Sequence, residues 1–360
     1  MENALRKSFC VSAVFVLGLA TTADAADLVL DYTHDSFFSN NAVANAALQQ
    51  AAADVSAALT TSLGAVSDSS TGVDGSSSLT FNFERGYTNP TTGAPETLSN
   101  ASASANEIRL FVGHRNLTGN TLAQAGPGGL GFSANGTVGP TFATAAANAN
   151  AAANANVGRG GGPTIGRLSG FIGGQPYNIG YGSTIGNVWF DSDFNNDGNA
   201  DGVNGTILDG SRWHFDHTTA VPGDKIDLYS VAVHEMLHTV GFGTAASWDD
   251  LVSGQDWLGD SVAALIGDET QVDALAGTDS GGQAHASGAF MTSVLGDPST
   301  MQTSIMTQTI SFGERKFITE LDLAFLTDIG WDVTPIPEPM SVIAGLLGIG
   351  GLMLRRQAAA

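Results

Sequence analysis

The chain contains a single cysteine, Cys10, among its 360 residues. Cys10 lies in an N-terminal segment with the three parts of a secretory signal: the basic residues Arg6 and Lys7, an apolar run over 9–20, and small residues up to Ala25. Cleavage after Ala25 would leave a mature protein without a thiol or a disulfide. This excludes a cysteine nucleophile and excludes latency maintained by a cysteine thiolate on a metal.

Positive charge is also scarce, since 13 Lys and Arg residues face 35 Asp and Glu residues, for a net charge of -22. Such a chain repels polyanions, which excludes nucleic acid as a partner. No repeat of about 20 to 50 residues is present, which excludes a solenoid or a propeller. The hydrophobic content of 42% is sufficient for the core of one large domain or two modest ones.

The apolar run near the C-terminus, Met340–Leu354, is shorter than the roughly 20 residues that a bilayer core requires. Pro337–Pro339 (Pro-Glu-Pro) precedes it, and Arg355 and Arg356 follow it. This order, over 334–360, resembles the PEP-CTERM sorting signal of exported bacterial proteins. The resemblance implies signal peptidase and an exosortase-type enzyme as processing partners, transient membrane contact through the apolar helix, and delivery to the cell surface, outer membrane or extracellular matrix. The alternative is an ordinary C-terminal membrane anchor.

Between the two ends, several segments have recognisable patterns. Asn41–Leu63 is rich in Ala and Leu and predicts a helix. Ser78–Phe83 and Glu107–Val112 predict half-buried strands, and Asn187–Phe190 predicts a compact apolar strand. From Gln124 to Gly182 the chain is dominated by Gly, Ala and Asn, which predicts long loops.

Directly after the apolar strand, oxygen-bearing side chains recur at every second position. Asp193, Asn195, Asp197 and Asp201 therefore form a candidate calcium loop, because Ca²⁺ takes six to eight hard oxygen ligands. Asn204 stands where an EF-hand places its bidentate Glu, so the pattern is incomplete. The alternative is a solvated Asp/Asn turn.

The segment Asp227–Val240 predicts a helix with Asp227 as N-cap and Gly241 as terminator. Within it, His234 and His238 are four residues apart and share one face, so both imidazoles can bind one zinc ion. Glu235 lies beside that ion, where it can accept a proton from a metal-acidified water and pass it to the leaving amine.

Zinc catalysis needs a third protein ligand. A compact spacing, three residues after the glycine, reaches Thr244, which is a poor zinc ligand. A thermolysin-like arrangement selects Glu269, whereas ligand softness favours His285. His214 and His217, just before the helix, are expected to be surface or supporting residues.

The segment from His234 to Thr244 resembles the leishmanolysin-like branch of the metzincins, as do Ser304–Thr307 and Leu321–Trp331, which follow His285. In that branch, an insertion separates the glycine from a late third histidine, which a methionine turn and a helix with an Asp-Ile-Gly-Tyr or Trp motif then follow. The resemblance covers roughly 185–333, and the short insertion suggests a bacterial offshoot. It implies His285 as third ligand and Met306 as the methionine beneath the zinc.

We therefore expect an α+β, metzincin-like domain over 26–333. A twisted sheet and the active-site helix would form an N-terminal subdomain, 26–241, above an irregular C-terminal subdomain, 242–333. The expected function is a secreted or surface-associated zinc endopeptidase that hydrolyses protein or peptide substrates with Glu235 as general base. Asn187–Phe190 would form the cleft edge and bind extended substrate by β-augmentation. The alternative is a non-catalytic extracellular matrix or surface protein with a structural metal site.

Overall fold

The structure is a computed structural model that describes residues 25–99, 102–117, 119–193, 212–254, 256–267 and 284–335. Within these residues the chain is α+β, with seven helices and several small sheets, as the sequence predicts. The helices are α1 (Phe37–Asn40), α2 (Ala42–Ala58), α3 (Phe142–Val157), α4 (Leu228–Thr239), α5 (Ala246–Asp249), α6 (Asp260–Ile266) and α7 (Glu320–Ile329). The strands are β1 (Asp27–Asp31), β2 (Ser69–Asp74), β3 (Ser77–Thr88), β4 (Pro95–Leu98), β5 (Glu107–Arg115), β6 (Ala123–Pro127), β7 (Gly129–Thr137), β8 (Gly166–Ile172), β9 (Gln175–Tyr181), β10 (Ile185–Asp191), β11 (Trp213–His214), β12 (Ile226–Asp227), β13 (Val252–Ser253), β14 (Asp256–Trp257), β15 (Met291–Val294) and β16 (Asp297–Thr303).

The central sheet has four strands in the order β1-β5-β10-β6. The first three are parallel, and β6 runs antiparallel to β10, with Val188 opposite Ala125. Helix α2 packs on α4, and α4 contacts β6 and β10. The sheet therefore supports the helix that carries His234 and His238.

The prediction that Asn187–Phe190 forms the cleft edge is wrong. These residues belong to β10, which lies between β5 and β6, and every residue of β10 is buried. A short, continuously apolar strand is typical of the interior of a sheet, where both faces are covered. The edge position next to β10 belongs to β6.

The predicted helix after Asn41 is confirmed, although it ends at Ala58 rather than Leu63. The side chain of Asn41 accepts a hydrogen bond from the Ala44 amide, as an N-cap does. Small and branched apolar side chains at helical spacing form the buried face of α2, including Ala44, Ala51 and Val55.

The prediction of long loops between Gln124 and Gly182 is also wrong. This stretch forms β7, the α3 helix and the β8–β9 hairpin in addition to most of β6. Helix α3 buries a stripe of alanines at helical spacing, including Ala145, Ala149 and Ala153. Alanine has the highest helix propensity, which favours α3 as a helix. Its small side chain also lets α3 lie directly on β2, where a Cβ on Gly72 would meet the Ala149 nitrogen at 2.0 Å.

The asparagines of α3 hydrogen-bond to neighbouring backbone. The amide group of Asn154 donates to Asn178 O (2.9 Å) and accepts from Gly180 N (3.0 Å). Asn156 accepts from Ser67 N (2.8 Å) and donates to Ser67 O (2.9 Å). The alanines and asparagines that suggested a loop therefore belong to a helix, and its asparagine side chains satisfy the hydrogen-bonding groups of neighbouring backbone.

Helix α7 closes the fold at the C-terminal side of the site. Thr319 and Asp322 form a capping box at its start, and Gly330, with φ 117°, ends it. The indole of Trp331 then donates to Val240 O (2.8 Å), which joins the exit of α7 to the exit of α4. A single apolar core cluster includes residues of both α4 and α7.

Among the described residues, no helix combines the length and apolar character that a bilayer span requires. The predicted apolar helix 340–354 and its flanking motifs lie outside the described residues, as does nearly all of the predicted signal peptide.

Candidate metal centre

Helix α4 begins and ends where the sequence predicts. The Asp227 carboxylate accepts from Ser230 N (3.1 Å), and Gly241, with φ 109°, follows the last turn. Arg315 donates to both oxygens of Asp227, at 2.6 and 3.0 Å. Asp227 is completely buried, so this bidentate pair supplies the charge compensation that its carboxylate needs.

His234, His238 and His285 form a single group. Their ligand atoms lie within 4.8 Å of one another, and their ring centroids are separated by 4.9, 5.2 and 5.1 Å. Three imidazoles at nearly equal separations form a triangle of nitrogen donors, so this group could hold a metal ion.

Two backbone carbonyls orient the helical histidines. His234 Nδ1 lies 2.9 Å from Ile305 O, and His238 Nδ1 lies 2.7 Å from Phe242 O. A carbonyl can only accept, so each Nδ1 carries the proton and each Nε2 presents its lone pair. The two Nε2 atoms are 3.2 Å apart. Two nitrogens bound to one tetrahedral zinc would be separated by about 3.4 Å, so the observed spacing fits that ion.

The chain approaches closely around the third histidine. Gly243 has φ 69°, and a Cβ placed on it would meet Ala284 O at 2.3 Å. On the other side, Ala286 N donates to Met306 O (2.9 Å). These two contacts hold the segment that contains His285 against the exit of α4 and against the 304–307 turn.

The predicted methionine lies in that turn. Thr307 N bonds to Ser304 O (3.3 Å), and Met306 is completely buried. Asp322 accepts from Ile305 N (3.2 Å) and from Ser304 Oγ. Asp322, in the first turn of α7, therefore fixes the same turn whose Ile305 carbonyl orients His234.

Burial governs the electrostatics of the site. It lowers the pKa of His234 well below the ordinary value, with a further lowering from His238 and then His285. Burial, followed by His285, lowers the pKa of His238 to about 4. Both imidazoles are therefore neutral and able to act as ligands near neutral pH. Burial also raises the pKa of the Glu235 carboxyl to about 8, in the absence of any cation.

The histidine group lies in a cleft of about 1110 Å³ that Glu235 also lines. One wall is the segment from Thr121 to Ala125, which includes the start of β6. Ile305 and the chain from Thr307 to Ile310 also line the cleft. A cleft of this size is large enough for an extended ligand and leaves the metal group accessible from one side.

The structure separates the other candidates. Thr244 does not join the histidines; its hydroxyl donates to His238 O (2.6 Å). His214 lies near Thr219, and His217 stacks on Tyr229, so neither joins the metal group. Glu269 lies outside the described residues, so the alternative ligand set stays open.

The candidate calcium loop is described only at Asp193, which is buried at the end of the central sheet. Asn195, Asp197 and Asp201 lie outside the described residues, so the calcium site stays a prediction.

Several supporting groups were not found from the sequence. The carbonyls of Ile305 and Phe242 carry no side-chain signal, and the role of Gly243 depends on a contact more than forty residues away along the chain. The sequence Thr319-Glu320-Leu321-Asp322 could have been noticed as a capping box with Asp322 at N3, but the bond of Asp322 to the 304–307 turn could not.

Comparisons of the chain with protein-family models, with curated proteins and with solved structures found no match. What the site can do must therefore be inferred from its own geometry.

Proposed function

We propose that the chain is a zinc-dependent endopeptidase of the leishmanolysin-like metzincin type, exported to the bacterial surface or matrix. One observation carries the proposal: three imidazoles whose nitrogens lie within 4.8 Å of one another, in an open cleft that also contains Glu235. Structural zinc sites are usually closed by four protein ligands, whereas catalytic sites keep a position open. Three ligands in a cleft favour the catalytic function over a structural metal site.

His234, His238 and His285 would hold the metal. When bound, zinc supplies Lewis acidity toward a substrate carbonyl and toward water. The protein's own contribution begins with the two carbonyl contacts that fix the tautomers of His234 and His238. Because burial keeps both histidines neutral at neutral pH, neither of them has to release a proton when the metal binds.

Glu235 supplies the acid and base function. Burial raises its pKa to about 8, and a bound cation would oppose that rise. A carboxyl group whose pKa lies near the pH of the reaction can take a proton from the attacking water and return it to the leaving amine. The neutral histidines provide no competing proton acceptor once their Nε2 atoms are used for the metal.

The cleft also suggests how a polypeptide binds. Strand β6 is at the end of the central sheet, its second edge has no strand partner among the described residues, and its first residues line the cleft. An extended peptide can therefore pair with β6 by β-augmentation while its scissile bond lies over the histidines. This role replaces the one expected for Asn187–Phe190.

The metzincin assignment has further support in the contacts of the matching motifs. The Asp-Ile-Gly-Trp segment ends in Trp331, which donates a hydrogen bond to Val240 O at the end of α4, and Met306 is buried within the 304–307 turn. These contacts show what Trp331 and Met306, two residues of the matching motifs, do in the fold.

Metal analysis and peptide hydrolysis of the full chain test the proposal. Glu235→Ala should keep stoichiometric zinc and lose cleavage, whereas His285→Ala should lose zinc. His217→Ala, a histidine outside the metal group, is the control and should change neither. Zinc loss on Glu269→Ala but not on His285→Ala would favour the thermolysin-like ligand set. Hydrolysis that survives Glu235→Ala would exclude the mechanism.

A further inference from the structure

One turn supports two of the three histidines. The Ile305 carbonyl accepts from His234 Nδ1 (2.9 Å), and the Met306 carbonyl accepts from Ala286 N (2.9 Å), next to His285. A shift of the 304–307 turn would therefore move one metal ligand directly and a second through its neighbour. The stability of this turn decides how well the metal group is preorganised.

Lys316 also forms hydrogen bonds to the 304–307 turn and to the residue before it. Its ammonium donates to Thr307 Oγ1 (2.7 Å) and Thr303 Oγ1 (3.0 Å), with Ser304 O at 3.5 Å. These three acceptors account for its three N–H donors, so none is left for a substrate. Lys316 is only 5% exposed although it lines the cleft.

The backbone of Lys316 is tied to the helix that carries the ligands. Lys316 N donates to Ser230 Oγ (2.8 Å), and Ser230 Oγ donates to the Asp227 carboxylate (2.7 Å). The side chain of Lys316 thus spans from the first turn of α4 to the 304–307 turn. This linkage sets the distance between His234 and the carbonyl that orients it.

The buried positive charge of Lys316 also requires an explanation. A buried ammonium is costly to desolvate. The Glu314 and Asp322 carboxylates offset only part of this cost, since burial still lowers the pKa of Lys316. It lies near a site that is proposed to hold a cation, where a second positive charge is unfavourable. A methionine of similar length would avoid both costs, so the retained ammonium points to its three hydrogen bonds.

We propose that Lys316 is a positioning residue of the metal centre, which clamps the 304–307 turn to α4 and so fixes His234 and the His285 segment. The inference rests on the proposed metal site but not on its catalytic activity. Lys316 acts through the turn and does not touch the substrate.

The test measures zinc affinity of the full chain by chelator competition, and the tautomer of His234 by ¹⁵N NMR of the metal-free protein. Lys316→Met removes the donors and keeps the aliphatic stem. It should lower zinc affinity by about 10- to 100-fold, the usual cost of losing a group that orients a ligand, and should reduce the population of the Nδ1–H tautomer of His234. Lys316→Arg, which keeps a charged donor, should recover most of the affinity.

Two further variants keep the test decisive. Thr307→Val removes the shortest acceptor without changing the charge, and it should move both measurements in the same direction even if Lys316→Met folds poorly. Lys225→Met, a lysine outside the cleft, should change neither. Unchanged zinc affinity and an unchanged His234 tautomer in folded Lys316→Met or Thr307→Val would overturn the inference. Zinc binding without hydrolysis in the wild type would defeat only the proposed function.

Discussion

The clearest physical consequence of the site concerns the pH dependence of stability in the metal-free protein. Glu235 is 6% exposed, and burial raises the pKa of its carboxyl from 4.5 to about 8. Glu235→Gln replaces this carboxyl by an isosteric group that cannot ionise. The difference in stability between the two proteins should therefore change with pH only where the carboxyl is ionised in one state and not in the other.

The sign follows from the raised pKa. Below about pH 4.5 the carboxyl is protonated in both states, and the stability difference between the two proteins should not depend on pH. As the pH rises, the unfolded wild type releases its proton while the folded wild type keeps it, so the wild type loses stability relative to Glu235→Gln. The loss is complete near pH 8, where the folded carboxyl also ionises. The two pKa values give an upper bound of roughly 5 kcal/mol, which water in the cleft reduces to a few kcal/mol.

Urea denaturation in the presence of a chelator, between about pH 5 and about pH 9, measures this difference. The lowered pKa values of His234 and His238 cost stability below about pH 6.5, but they do so in both proteins and cancel. Zinc should narrow the gap, because a nearby cation lowers the pKa of the carboxyl. A stability difference that stays constant across the pH range would refute the buried environment assigned to Glu235.

Two other predictions concern packing and charge. Gly243→Ala should lower zinc affinity about tenfold or more, because its Cβ would meet Ala284 O at 2.3 Å; Gly254→Ala, also at positive φ but facing open space, is the control and should leave affinity unchanged. Arg315→Met should cost about 3 to 5 kcal/mol in urea unfolding by leaving a buried carboxylate unpaired, whereas Arg167→Met, in an exposed pair, should cost less than about 1 kcal/mol. Equal losses of zinc affinity in the two glycine variants, or equal losses of unfolding free energy in the two arginine variants, would contradict the reasons given.

The parts of the site that the sequence predicts are those set by local spacing. His234 and His238 lie one helical turn apart, and the cap and terminator of their helix are adjacent in the chain, so α4 follows from residues 227–241 alone. Ligand softness favoured His285 over Glu269, but its membership in the group was implied only by the resemblance, because nothing local distinguishes a ligand forty-seven residues beyond His238 from any other histidine.

The failed predictions share a physical cause. Gly, Ala and Asn between 124 and 182 are typical of loops when each residue is considered alone, but in α3 the alanines permit close packing and the asparagines bond to backbone of other elements. The edge of the central sheet was misplaced for a similar reason: which strand is at the edge depends on pairing between distant segments, and the complete burial of β10 appears only once β5 and β6 flank it.

The three histidines are held in different ways, and mutations should affect them differently. Two ligands belong to a buried helix, and their orientation is fixed by carbonyls, so they are in place before metal arrives. The third belongs to an irregular segment held by the contact of Gly243 with Ala284 and by one backbone bond to Met306. Changes at the apolar core residues of α4 should therefore register mainly as lost folding stability, whereas changes at these anchors should register as lost zinc affinity in a folded protein. The measurement that separates the two classes is zinc affinity compared with unfolding free energy in the same set of variants.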